Sequence, residues 1–126
     1  MIALMIDVES NEPIYLQIAR NLEEEILMGV YPEQEQIPST TELSIGLKIN
    51  PATILKGMNQ LVQDGVIYKK RGLGMFVCPG AVENLRSRRQ SEFFVKYIIP
   101  LMNEGERLGI SPDQIIEMIQ KGCDTT

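Results

Sequence analysis

Two helix starts stand close together in the middle of this chain, too close for anything but a tight helical pair. Ser39-Thr40-Thr41-Glu42 fits a capping box: the Ser39 hydroxyl can accept from the Glu42 backbone N–H while the Glu42 carboxylate reaches back to the Ser39 N–H. Asn50-Pro51 fits a second start, a cap residue followed by a proline whose missing N–H costs nothing at the first helical position. A helix opened at Ser39 must therefore end near Leu47 or Lys48. The helix opened at Asn50 carries the apolar stripe Ile54, Met58, Leu61 and Val62 and stops before Gly65.

Beyond Gly65 the hydrophobic period changes from helical to alternating. Val66-Ile67-Tyr68-Lys69-Lys70 and Leu73-Gly74-Met75-Phe76-Val77 read as two short strands around Arg71-Gly72, a hairpin signal. Two short helices followed by a hairpin make a winged helix-turn-helix, whereas without the wing they are simply a helical hairpin. Upstream, Ile14, Ile18, Leu22 and Ile26 recur at steps of four, which predicts a helix from about Asn11–Pro13 to Met28 with Gly29 as its C-cap glycine. A largely polar connection, Val30 to Pro38, joins it to the pair.

Pro79-Gly80 closes that unit. Residues 81–109 read as one long helix with Phe94, Ile98, Leu101 and Leu108 near one face, kinked just before Pro100. Ser111-Pro112-Asp113-Gln114 is a further capping box, and the last helix it opens is expected to end near Lys121-Gly122. The expected fold class is α+β, mainly α: a winged helix-turn-helix over residues 1–79 and a two-helix appendage over residues 80–126.

Composition removes several function classes. The chain has no histidine, so the commonest general base and the commonest zinc ligand are missing. Cys78 and Cys123 match no metal spacing and form no disulfide framework, and no Walker-type or nucleophile-elbow motif occurs. No enzyme, catalytic residue, cofactor or metal is expected. No apolar stretch approaches a membrane span, and Met1 to Met5, followed by Asp7 and Glu9, is too short for a signal peptide, so a reduced, cytoplasmic setting is expected.

The net charge of −5 argues against nucleic acid until its distribution is considered. Residues 39–89 hold eight basic side chains against three acidic ones, or +5, and the rest of the chain holds four against fourteen, or −10. A local basic surface is what phosphate contact requires.

From Pro13 to Val77, about half its length, the chain resembles the DNA-binding domain of the GntR family of bacterial regulators. Pro13-Ile14-Tyr15, Gln17-Ile18, Ile37-Pro38-Ser39, Glu42-Leu43 and Asn50-Pro51-Ala52-Thr53 carry the resemblance, followed by Leu61, Gly65-Val66-Ile67-Tyr68 and Lys70-Arg71-Gly72-Leu73-Gly74-Met75-Phe76-Val77. The short tail looks like the YtrA subfamily, in which a small dimerisation appendage stands where other members carry a large effector-binding domain. The resemblance implies a sequence-specific transcription regulator, expected to repress, that binds double-stranded operator DNA as a homodimer. It leaves open a small-molecule effector at the dimer interface. A winged helix used for protein interaction, with weak or no specific DNA binding, is the alternative.

The residues expected at DNA follow from these elements. Ala52, Lys56, Asn59 and Gln63 lie opposite the apolar stripe of their helix, on the face a recognition helix offers to the major groove. Asn50 can cap and also reach DNA, and Thr53 can offer a hydroxyl. Ser39, Thr40 and Thr41 stand at a helix N-terminus, where hydroxyls and backbone N–H groups suit phosphate. Lys69, Lys70 and Arg71 give the wing its charge, and Gly72 and Gly74 allow its turn a close approach. Lys48 and Asn59 read equally well as solvated surface. Tyr15, Tyr68 and Phe76 read as core, Arg86, Arg88 and Arg89 as a solvated helix face, and Cys78 as a small strand-end hydrophobe.

Thr41 and Leu55 depart from the family pattern, which usually has arginine at the first position and often arginine or another polar residue at the second. Leu55 either extends the core stripe or touches a thymine methyl group. In the tail, Phe94, Tyr97, Ile98, Leu101, Leu108, Ile115, Ile116 and Ile119 are expected at a dimer interface, because two helices cannot bury such a set against each other alone.

Overall fold

Ile18, Leu22 and Ile26 recur every four residues along α1 (Ile14–Leu27), and all three are fully buried. The structure, a computed structural model, describes residues 6–125, so the apolar Met1–Met5 stretch lies outside it. Gln17 of α1 fastens the chain before it: its Oε1 accepts from the Asp7 N–H at 2.7 Å, and its Nε2 donates to the Asp7 and Glu12 carbonyls at 2.9 Å. Helix α1 ends at Leu27, and Gly29, with φ at +83°, turns the chain so that the Val30 N–H donates to the Glu25 carbonyl at 2.9 Å.

Helix α2 (Thr40–Leu47) opens with the expected capping box. The Ser39 Oγ accepts from the Glu42 N–H at 3.0 Å, and Glu42 Oε1 accepts from the Ser39 N–H at 3.3 Å. Lys48 closes it in the left-handed region, φ 56°, and the Ser44 hydroxyl donates to the Ile49 carbonyl at 2.6 Å across the turn. Helix α3 (Pro51–Gln63) follows at once, with Asn50 Oδ1 accepting from the Ala52 N–H at 2.8 Å. Ile54, Met58 and Leu61 are buried, packed with Leu43 and the α1 stripe. Val62 corrects the sequence expectation: it is 39% exposed, because eight residues beyond Ile54 it has rotated about 80° off the stripe.

Helices α1 and α3 meet at Gly57. A Cβ there would stand 2.8 Å from the Tyr15 carbonyl oxygen and 3.3 Å from the Ile18 side chain. Gly57→Ala is therefore expected to destabilise the fold by about 1–3 kcal/mol, the usual cost of overpacking. In an open helix the same change would stabilise by about 1 kcal/mol. Chemical denaturation measures the sign directly.

Strands β1 (Ile67–Lys70) and β2 (Gly74–Val77) pair antiparallel, with Ile67 opposite Val77, Tyr68 opposite Phe76, Lys69 opposite Met75 and Lys70 opposite Gly74. The turn holds Arg71, Gly72 and Leu73, so it is longer than the Arg71-Gly72 pair expected; the Leu73 N–H donates back to the Lys70 carbonyl at 2.9 Å. The connection before α2 is also more ordered than its polar sequence predicts. Gln36 bridges to Phe76, the Ile37 N–H donates to the Met75 carbonyl at 3.0 Å, and the Val77 N–H donates to the Glu35 carbonyl at 3.0 Å. The hairpin thus gains a short third edge.

Helix α4 (Ala81–Phe93) is capped from that same connection: Glu33 Oε1 accepts from the Gly80 N–H at 2.8 Å and Oε2 from the Val82 N–H at 3.2 Å. Ala81 and Leu85 are buried in the core formed by α1, α2, α3 and the hairpin. The chain divides into two compact units, Met1–Ser87 and Arg88–Thr126.

The helix runs on to Arg107 through a π-helical turn, Phe94–Ile98, and then α5 (Ile99–Arg107). Where the sequence predicts a kink before Pro100 the backbone forms this π-helical turn, with the Ile99 N–H donating to the Phe94 carbonyl five residues back. Helix α6 (Pro112–Thr125) opens with its predicted capping box, the Gln114 N–H to Ser111 Oγ at 3.1 Å and the Ser111 N–H to Gln114 Oε1 at 2.8 Å. It runs past Gly122, longer than expected, because glycine in a helix costs only about 1 kcal/mol. Helices α5 and α6 approach closely where Gly105 faces the Ile115 side chain.

Candidate nucleic-acid interface

The residues expected at DNA all belong to the first unit and sit on α2, α3 and the hairpin. On α3, Ala52, Lys56, Asn59 and Gln63 are exposed on the side opposite the buried Ile54, Met58 and Leu61. Pro51, Leu55 and Val62 are exposed on the flank of that face, and Leu55 is 43% exposed. The core alternative for Leu55 is thereby closed. Thr53 is half-buried, and Asn50 is exposed with its carbonyl engaged by the cap.

Lys56 is steered by an aromatic neighbour. Its Nζ lies 4.2 Å from the centroid of the Tyr15 ring, so a half-buried α1 tyrosine holds a cation at the edge of the α3 face.

At the start of α2 the three hydroxyls differ. Ser39 is spent on the capping box as an acceptor, Thr41 is exposed, and the Thr40 hydroxyl turns inward to Met58 Sδ at 3.4 Å. Met58 belongs to the core, so the hydroxyl of the half-buried Thr40 joins the α2–α3 packing.

The hairpin carries exposed Lys69, Lys70, Arg71 and Gly72. The Lys70 Nζ lies 4.5 Å from the Phe76 ring centroid and 5.9 Å from that of Tyr68, and these two rings pair across the strands at 6.0 Å. Gly74 also has a job within the hairpin. With φ at +125° it makes room for Gln36, whose Nε2 would stand 2.6 Å from a Cβ at Gly74 and donates to the Leu73 carbonyl at 2.7 Å. Gly72, with φ at +78° and open space around it, keeps the turn tip slim.

Gly57, Gln36 and Glu33 escaped sequence reasoning. A signal did exist for Gly57, a glycine on the apolar face of a helix, which marks close backbone approach. Nothing local marks Gln36 or Glu33.

Among the described residues, no group of three or more histidine, cysteine, aspartate or glutamate side chains could hold a metal ion. No described helix is long and apolar enough to cross a membrane.

Residues 14–77 match the family model described as bacterial regulatory proteins, gntR family. The chain is 26% identical to the HTH-type transcriptional repressor YtrA of Bacillus subtilis (strain 168) over 118 residues, covering 94% of this chain and 90% of that relative. A putative transcriptional regulator of the GntR family from Bacteroides thetaiotaomicron, solved by crystallography, superposes with a TM-score of 0.73 at 34% identity, over 89% of this chain and 97% of that one. AraR(DBD), solved in complex with an operator, superposes with a TM-score of 0.53 at 27% identity, over 62% of this chain and 95% of that one. The winged helix, the family match over half the chain and the full-length likeness to YtrA agree: the chain is a transcriptional regulator of the gntR family, in its YtrA-like subfamily.

Proposed function

We propose that the chain is a sequence-specific repressor that binds a two-fold symmetric operator as a homodimer. The observation that carries the reading is the pairing, on one winged helix, of an exposed polar α3 face with a cationic hairpin, in the stretch of sequence where the charge is +5. In this reading Ala52, Thr53, Lys56 and Asn50 meet base edges or nearby phosphates in the major groove. Ser39, Thr41 and the first N–H groups of α2 meet phosphate, while Thr40 supports them from behind. Lys69, Lys70, Arg71, Gly72 and Gly74 lie along the backbone or minor groove. The second unit supplies the dimer contact, and a small-molecule effector, if one acts, would bind at that contact.

A gel shift with the region upstream of the chain's own operon tests the proposal. The expected result is a discrete complex whose log affinity falls steeply and linearly with log salt. A flat response between low and physiological salt would remove DNA from the account and leave the protein-interaction reading, which the net charge of −5 favours.

A further inference from the structure

An exposed leucine stands where a helix that reads DNA would carry a hydrogen-bonding side chain. Leu55 lies in the second turn of α3, on the same side as Ala52 and Asn59, and belongs neither to the buried core nor to the apolar residues packed against it. Its neighbour Lys56 is drawn toward the Tyr15 ring, and Leu55 stands with the exposed Val62 as an apolar flank of this face. The Leu55 side chain offers a base edge no donor and no acceptor. The floor of the major groove presents one methyl group, the C5-methyl of thymine; the edges of guanine, adenine and cytosine there are dominated by hydrogen-bonding atoms. Set against those atoms, Leu55 would strip water from them and return no hydrogen bond.

We propose that Leu55 is a specificity-determining residue that selects thymine at one position of each operator half-site through van der Waals contact with its methyl group. The inference rests on the DNA-binding reading above and adds to it a base identity. Recognition here is by exclusion as much as by attraction. The methyl gains a dry contact, and every other base loses hydration.

The test uses the intact chain. It first selects its operator from a randomised duplex library, and each thymine of the selected half-sites is then replaced by deoxyuridine. That exchange removes the methyl group and leaves every hydrogen-bonding atom in place. One position per half-site should weaken binding about fourfold, and both together about fifteenfold, the ratio that one buried methyl-sized group gives at each site. Leu55→Ala, a change at a side chain outside the core, should bind the thymine and uracil duplexes alike. Equal binding of both duplexes by the unaltered protein overturns the inference. So does a Leu55→Ala protein that keeps the penalty, or one that weakens equally on every sequence. Failure to select any sequence overturns the DNA-binding reading itself, and the two failures are thereby told apart.

Discussion

Cut after Ser87, the chain is expected to remain a folded winged helix, to sediment as a monomer, and to bind its operator at least about a hundredfold more weakly than the intact protein. The cut follows Ser87 because Ala81 and Leu85 complete the core of the first unit; ending at Gly80 would open that core. The removed segment holds the apolar surface. Phe94, Tyr97, Leu101, Leu108, Ile116 and Ile119 are exposed in the single chain, as are Phe93, Met102 and Met118, while Ile98 and Ile115 are half-buried. Each large side chain of this kind contributes about 1.5–3 kcal/mol when fully buried, so a second copy that covers the set gains many times thermal energy. A two-fold axis also offers two recognition helices to successive major grooves about 34 Å apart. Losing it turns one two-handed grip into two independent weak ones. Sedimentation velocity and gel shift on both chains check the prediction. An intact chain at monomer mass at micromolar concentration would end the homodimer proposal.

Replacing Lys70 and Arg71 together by alanine should weaken binding to every DNA sequence, by about a thousandfold near physiological salt, and flatten the plot of log affinity against log salt by up to about 3.6 units. The estimate takes each side chain to neutralise one phosphate in each half of a dimer, at about 0.9 per contact. Lys70 is favoured for this role because the Phe76 and Tyr68 rings hold its ammonium above the sheet, so little side-chain freedom remains to be lost on contact. Changes at Ala52 or Lys56 should instead alter which sequence is preferred. Titration over a salt series separates the two behaviours, and an unchanged slope in the double variant would take the wing off the DNA.

The elements that sequence reading predicts well are those set by neighbours within four residues. Both capping boxes, the Asn50-Pro51 start and the α1 stripe depend on local spacing, and each forms as its residues dictate. What failed depends on partners far along the chain or on helical phase. The segment Glu35–Ile37 has no alternation of its own and becomes an edge because β2 offers free backbone groups beside it. Glu33 caps a helix that begins far downstream. Val62 looked like core because it adjoins Leu61, but the turn of the helix carries it outward. The π-helical turn at Phe94–Ile98 inserts in effect one residue, so a 3.6-residue count carried from Phe94 to Leu101 assigns them a common face that the backbone does not keep. At the interface, exposure of the α3 face and the cationic hairpin followed from periodicity and charge. The inward turn of Thr40 did not, since it depends on where Met58 arrives.

The third edge at Glu35–Ile37 bears on how the wing meets a ligand. A lone two-stranded hairpin is at best marginally stable in water and samples many shapes. Here the backbone bonds to Met75 and Val77 and the Gln36 bond to Leu73 hold both the stem and the tip before any partner arrives. The cationic side chains therefore start from a rigid template whose ordering entropy was already spent in folding. Association then selects among orientations of a whole body, not among conformations of a loose ribbon.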